Sequence, residues 1–347
     1  MVFAPLQPEI TVAPHCSLAR RAASAALAGA ALLFVAACDP TLGLGPPATR
    51  ALEDGAAQGL TGARSFELTG SYTDGSTRWT IDMQVVRPTG EHVVVSDGSE
   101  TVEAVVLGGD AYFRGQSFLA RHMGSDPVSA NLVKAAGNAW WKGSAGYVPR
   151  LVDLTDGATF KATFLGSAVT TRTDHVSVDG VEAVDLAGPR ADVFIAAAPP
   201  HRLLRLRMRK GVTIDQVGDG DLRYTSYDRD FHIAAPADVI DFSDLSTLPP
   251  VYTVVSVDAS GCGSPCNVSA VLKNLGGATG AIAPSTITFT MTNPVTQQAI
   301  GSCKVPVQPD VGFNATTTVT CAIAGLTGQP PNAAVVTATA DNPGRGS

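Results

Sequence analysis

Apolar residues occupy every second position along Trp79-Ile81-Met83-Val85, with Arg78, Thr80, Asp82 and Gln84 between them. A period of two predicts a half-buried strand with one apolar face. Strand-like runs follow one another at Phe66–Tyr72, Thr77–Val86, His92–Ser96, Val102–Leu107 and Ala111–Arg114. Asp74-Gly75, Pro88-Thr89-Gly90, Asp97-Gly98 and Gly108-Gly109 punctuate them, and such turns predict a meander of antiparallel hairpins. Between Phe118 and Phe164 the spacing becomes helical, at Ser129–Ala136 and Pro149–Leu154, with a strand predicted around Trp140–Gly143. Ala51–Ala63 has room for a further short helix. Strands resume at Val169–His175, Val181–Ala187, Asp192–Ala196, Leu203–Met208 and Asp221–Tyr227. Meander, helices, meander is an α+β order, with helices laid on one face of an antiparallel sheet.

The character changes after Pro236–Pro250, whose Leu248-Pro249-Pro250 reads as a stiff hinge. Thr- and Val-rich runs follow at Val251–Ala259, Asn267–Asn274, Ser285–Asn293, Gly301–Val307, Thr316–Ile323 and Ala333–Ala340. Six short strands with frequent turns predict an all-β, immunoglobulin-like sandwich over residues 251–342. The first domain then spans residues 51–247.

The N-terminus reads as an address. Arg20-Arg21 precede an uncharged apolar run over residues 22–37, the pattern of an export signal and short for a membrane span. The run ends in Val35-Ala36-Ala37-Cys38, which resembles the bacterial lipobox. That resemblance implies a diacylglycerol on the Cys38 thiol and cleavage just before it. The competing reading is an ordinary signal with an incidental cysteine. Residues 1–37 are thus the expected signal peptide, and the Pro- and Gly-rich residues 38–50 a lipidated tether. The expected location is extracytoplasmic, anchored to the cell membrane by lipid.

Composition narrows the function. The chain has 347 residues, a net charge of −7, 16% charged residues, 35 Gly and 23 Pro, which favours β-rich domains. An acidic balance argues against nucleic acid as a partner. Beyond Cys16 and Cys38 remain Cys262, Cys266, Cys303 and Cys321, an even set in an exported chain. They allow three connectivities, of which Cys262–Cys266 with Cys303–Cys321 is favoured over the others and over a zinc site. No nucleophile elbow, His-Glu-x-x-His, Walker or Rossmann motif occurs, so no enzyme, metal or cofactor is expected. In the basic strand Arg202–Lys210, alternation sends Leu204 and Leu206 to one face and Arg205, Arg207 and Arg209 to the other.

Several phrases carry a wider likeness: Val105–Phe113 with its Gly108-Gly109-Asp110 turn, Trp140-Trp141-Lys142, Val178–Ala183, Pro199–Arg205, and Tyr224–Asp228 ahead of Ile233–Asp238. With Cys38, this layout resembles the LppX/LprG-type lipoproteins, which share the LolA-like fold. The resemblance implies an unclosed antiparallel half-barrel wrapped over helices, with an acylated lipid in the apolar space between. Residues 251–342 are similar to CARDB- or FxLYD-type immunoglobulin-like domains, through Val268–Gly276 and Thr316–Cys321. The expected function is lipid binding or transfer within the cell envelope. The alternative is a surface adhesion or scaffold protein presenting β-domains to protein or cell-wall partners. Candidate cavity residues are Trp79, Ile81, Met83, Val85, Leu132, Trp140, Leu204 and Leu206, and candidate head-group residues are Arg205, Arg207 and Arg209.

Overall fold

The computed structural model describes residues 45–148, 151–263, 265–324 and 334–345. The signal segment, Cys38 and most of the tether lie outside these residues.

Helix α1 (Thr49–Gly62) buries Leu52, Ala56 and Leu60, one stripe at helical spacing. A first meander follows: β1 (Ser65–Asp74), β2 (Thr77–Val86), β3 (Gly90–Ser96), β4 (Thr101–Leu107) and β5 (Asp110–Arg114). Helices α2 (Gln116–Met123) and α3 (Pro127–Ala136) precede β6 (Trp141–Ser144). Asp126 caps α3 through the N–H groups of Val128 and Ser129, with Pro127 in the first turn where no N–H is needed. After α4 (Val152–Thr155) and α5 (Gly157–Phe164) comes a second meander: β7 (Thr171–Val178), β8 (Val181–Ala187), β9 (Ala191–Ala196), β10 (Leu203–Met208), β11 (Thr213–Ile214) and β12 (Val217–Thr225).

All twelve strands form one antiparallel sheet in the order β6-β5-β4-β3-β2-β1-β12-β10-β9-β8-β7, with β11 on β12. The pairing of β1 with β12 splices the two meanders together. Helices on one face divide the core in two. Leu52, Leu60, Phe160 and Phe164 of α1 and α5 pack on Phe66, Leu68, Leu206 and Tyr224. Leu119, Leu132 and Val133 of α2 and α3 pack on Ala104, Phe113 and Trp141. Gly157 opens α5 because a Cβ there would stand 1.9 Å from the Ala57 carbonyl oxygen of α1. Beyond β12 the chain returns to the far edge, where Ile240 bridges Trp141 and so covers the end of the sheet.

Two three-stranded antiparallel sheets follow among the described residues. One has the order β13 (Tyr252–Asp258), β14 (Cys266–Asn274), β17 (Thr316–Ile323); the other β16 (Ala299–Pro306), β15 (Thr286–Thr292), β18 (Val335–Asp341). Val268, Ala270 and Leu272 share one apolar core with Ile287, Phe289 and Met291 of the other sheet. Cysteines pair Cys262–Cys266 and Cys303–Cys321, and the second bond joins a strand of one sheet to a strand of the other.

The expected hinge is a packed junction. Leu248, Pro249, Pro250 and Val251 are buried. Gly277 and Leu275 donate to the Leu248 and Val251 carbonyls at 2.8 Å each. Gly276 cannot carry a side chain, since its Cβ would lie 1.9 Å from the Pro249 carbonyl oxygen. Arg345 reaches back to the carbonyls of Asp238 and Thr247, and Lys134 of α3 pairs with Asp341 at 2.6 Å. Among the described residues, no helix is long and apolar enough to cross a membrane.

Candidate functional site

Where the two helix groups fail to meet over the sheet, an apolar cavity of about 260 Å³ remains. Its floor is built by strand register. Ile81 faces Val95, which faces Val102, and Met83 faces Val93, then Ala104, then Phe113. These cross-strand rows place alternate residues of four neighbouring strands on one surface. Phe118 of α2 and Tyr147, Val148 and Leu151 of the connection to α4 form the opposite side. Trp79 and Tyr72, opposite each other on β2 and β1, stand nearer one end.

Exposed polar residues rim that end: Asp74, Arg121 and Gln216. Arg121 is held by a two-pronged ion pair with Glu100, both contacts at 2.8 Å. The turn carrying Glu100 is tied by Asp97, whose carboxylate accepts from the backbone N–H groups of Glu100 and Ser99 and is held below its ordinary pKa by these bonds. Asp215 and Gln216 form the two-residue β11–β12 turn with φ of 52° and 66°, left-handed backbone that non-glycine residues rarely adopt. Asp215 accepts from the Asp153 N–H at 2.8 Å, joining this turn to α4. Burial raises the Asp215 pKa. Burial, with a smaller contribution from Asp74, raises that of Tyr72.

A second cavity, about 530 Å³, continues along the same strands past Val85 and Val106. Val148 and Leu151 line both. Its surface is more polar, with Arg87, Glu91, Thr155 and Asp156. The Arg87 guanidinium donates to the carbonyls of Leu60, Thr61 and Thr155, at the C-terminal ends of α1 and α4. A cation there also complements the partial negative charge of those helix ends.

Trp79, Ile81 and Met83 are thus brought together on the first cavity, while Val85 lies on the second. Leu132 and Leu206 belong to the two packed cores instead. Trp140 is half-buried under the Arg114 guanidinium, 5.0 Å from its ring. Its neighbour Trp141, 2% exposed, stacks against Phe113 and Phe118 and backs the cavity wall. Leu204 faces away from the cavity. The β9–β10 register shifts between Leu203 and Arg205, so Leu203 takes the inner position and Leu204 packs with Val176, Val178 and Phe194 outside.

Arg205, Arg207 and Arg209 of the basic strand are ion-paired on the outer side of the sheet, with two carboxylates between them. Arg205 pairs with Asp221, while Arg207 and Arg209 share Asp192. The Arg205 and Arg207 guanidiniums also lie over the Phe194 ring. Among the described residues no group of three or more His, Cys, Asp or Glu could hold a metal ion.

Sequence reasoning missed Val93, Val95, Val102, Ala104 and Phe118. The run Val93-Val94-Val95 does not alternate, so its inner face is silent on its own. Pairing with β2 across the Pro88-Thr89-Gly90 turn assigns it. Comparison with protein-family models and with curated proteins finds no match for this chain in either.

Proposed function

We propose that this chain is an extracytoplasmic lipoprotein, anchored through an acylated Cys38, that binds or transfers lipid within the bacterial cell envelope. The observation that carries the reading is the apolar cavity between Ile81, Met83, Ala104 and Phe118. A space walled by valines and aromatics and rimmed at one end by polar side chains is the form taken by small-molecule sites. The long sheet with helices on its inner face fits an unclosed LolA-like half-barrel. The two small sheets with their shared core fit an immunoglobulin-like sandwich. The apolar walls of the cavity are what support binding as its role.

The test is purification from the native membrane, then mass spectrometry of an organic extract and uptake of a fluorescent fatty acyl lipid by the stripped protein. A co-purified lipid at near one per chain, with uptake restored after stripping, is expected. No lipid and no uptake by a folded protein overturn the reading. Cys38→Ala is expected to release the protein from membranes, and retention there would remove the anchor.

A further inference from the structure

Two aromatic side chains, Tyr72 and Trp79, stand opposite each other on β1 and β2 at the polar-rimmed end of the first cavity. Elsewhere in the domain such rings lie under arginines of the chain itself: Trp140 under Arg114, Tyr227 under Arg202, Phe194 under Arg205 and Arg207. The other aromatics on the cavity lean on further rings, Phe118 on Trp141 and Tyr147 on His122. Among the described residues Tyr72 and Trp79 have neither a guanidinium nor a ring against them.

The charges beside them are acidic. Asp74 follows Tyr72 by two positions on β1 and so shares its face. Its carboxylate has no hydrogen bond or ion pair among the described residues. Asp215 lines the same end. Burial first, then the neighbouring Asp153 carboxylate, raises the Asp215 pKa, as where negative charge is crowded. Arg121, the basic side chain on the cavity among the described residues, gives both its prongs to Glu100. Asp74, Asp215 and the adjoining Asp153 are therefore in excess.

An anionic end would be repelled here at close range, and a neutral one would gain nothing from the charges. A cation gains from the carboxylates and the rings together. Two residues of strand advance about 6.6 Å, and a cation within about 6 Å of an aromatic centroid is drawn to its face. One small ammonium can thus reach Tyr72, Trp79 and Asp74 at once.

Resting on the lipid-binding reading above, we propose that this end of the cavity recognises an ammonium group, so that the ligand is a cationic amphiphile. Its hydrocarbon lies along Ile81 and Met83, the next positions on the same face of β2.

Calorimetric titration of the stripped protein with decyltrimethylammonium, decanol and decanoate, each below its micellar concentration, tests this. The ammonium is expected to bind about tenfold more tightly than decanol, and decanoate more weakly than either. Raising salt from about 0.05 to about 0.5 M is expected to weaken the ammonium several-fold and leave decanol unchanged. Asp74→Asn with Asp215→Asn is expected to remove most of the ammonium preference and to leave decanol within about twofold. Decanol or decanoate binding as tightly as the ammonium, an ammonium affinity indifferent to salt, or a double variant that weakens all three alike overturns the cation assignment and leaves lipid binding standing. Binding of none of the three to a folded protein overturns both.

Discussion

Ala104→Phe distinguishes a real void from a packed core by the sign of its effect on stability. Ala104 is nearly fully buried, and its side chain points into the 260 Å³ space. A phenyl ring needs about 150 Å³ and gains roughly 1.5–3 kcal/mol when moved from water to an apolar site. With room available, most of the ~1–3 kcal/mol cost of overpacking is not incurred. Stability is therefore expected to stay level or rise by up to about 2 kcal/mol, read as the urea midpoint at constant m. Ala56→Phe supplies the contrast. Ala56 is fully buried between α1 and the sheet, away from either cavity, so the same change is expected to cost about 1–3 kcal/mol. Equal losses in both variants would refute the void.

Other consequences concern what holds the site in place. Arg87→Met leaves the carbonyls of Leu60 and Thr155 without their donor and is expected to cost about 2–4 kcal/mol in urea unfolding; a loss under about 0.5 kcal/mol would show the contacts to be dispensable. The hydrogen bond from Arg205 holds the Asp221 carboxyl below its ordinary 3.8, so its stabilisation is full above that value and is lost as pH falls through the lower folded-state pKa. With the Asp221 side chain 38% exposed, screening limits this to about 1 kcal/mol. Asp221→Asn should then cost that much at neutral pH and progressively less as pH is lowered below 3.8, as followed by denaturant midpoints. Removing Cys303–Cys321, which closes a separation of 18 residues, should lower the stability of the C-terminal sheets by about 2–4 kcal/mol while leaving ligand uptake by the stripped protein intact.

The strands were legible where alternation and turn residues agreed. Thr77–Val86, Val181–Ala187, Leu203–Met208 and Thr316–Ile323 appear with the bounds read from the sequence. The helices α2 and α5 were not. Helix α2 has a Gly before it and only eight residues, and α5 begins on Gly157 and carries β-branched Thr159 and Thr163, so neither shows a sustained apolar stripe. Half of the floor was legible for the same reason as its strand: Trp79, Ile81 and Met83 share a parity. Leu204 misled because strict alternation cannot register a bulge, and one extra residue moves a side chain to the other face. The walls from α2 and the Asp215-Gln216 turn depend on contacts between elements distant in sequence, which no local pattern encodes.

Occupancy of the space beside Met83 tests the central claim most directly, through quenching of Trp79 fluorescence by a fatty acyl lipid brominated along its tail. Quenching is expected in the native protein, reduced in Trp79→Phe to what Trp141 behind the wall contributes, lost with binding in Met83→Arg, and unchanged in Leu204→Glu, whose side chain lies on the outer face. No quenching by a bound tail, or loss of binding in Leu204→Glu with Met83→Arg unaffected, would contradict a lipid site on the inner face of the sheet.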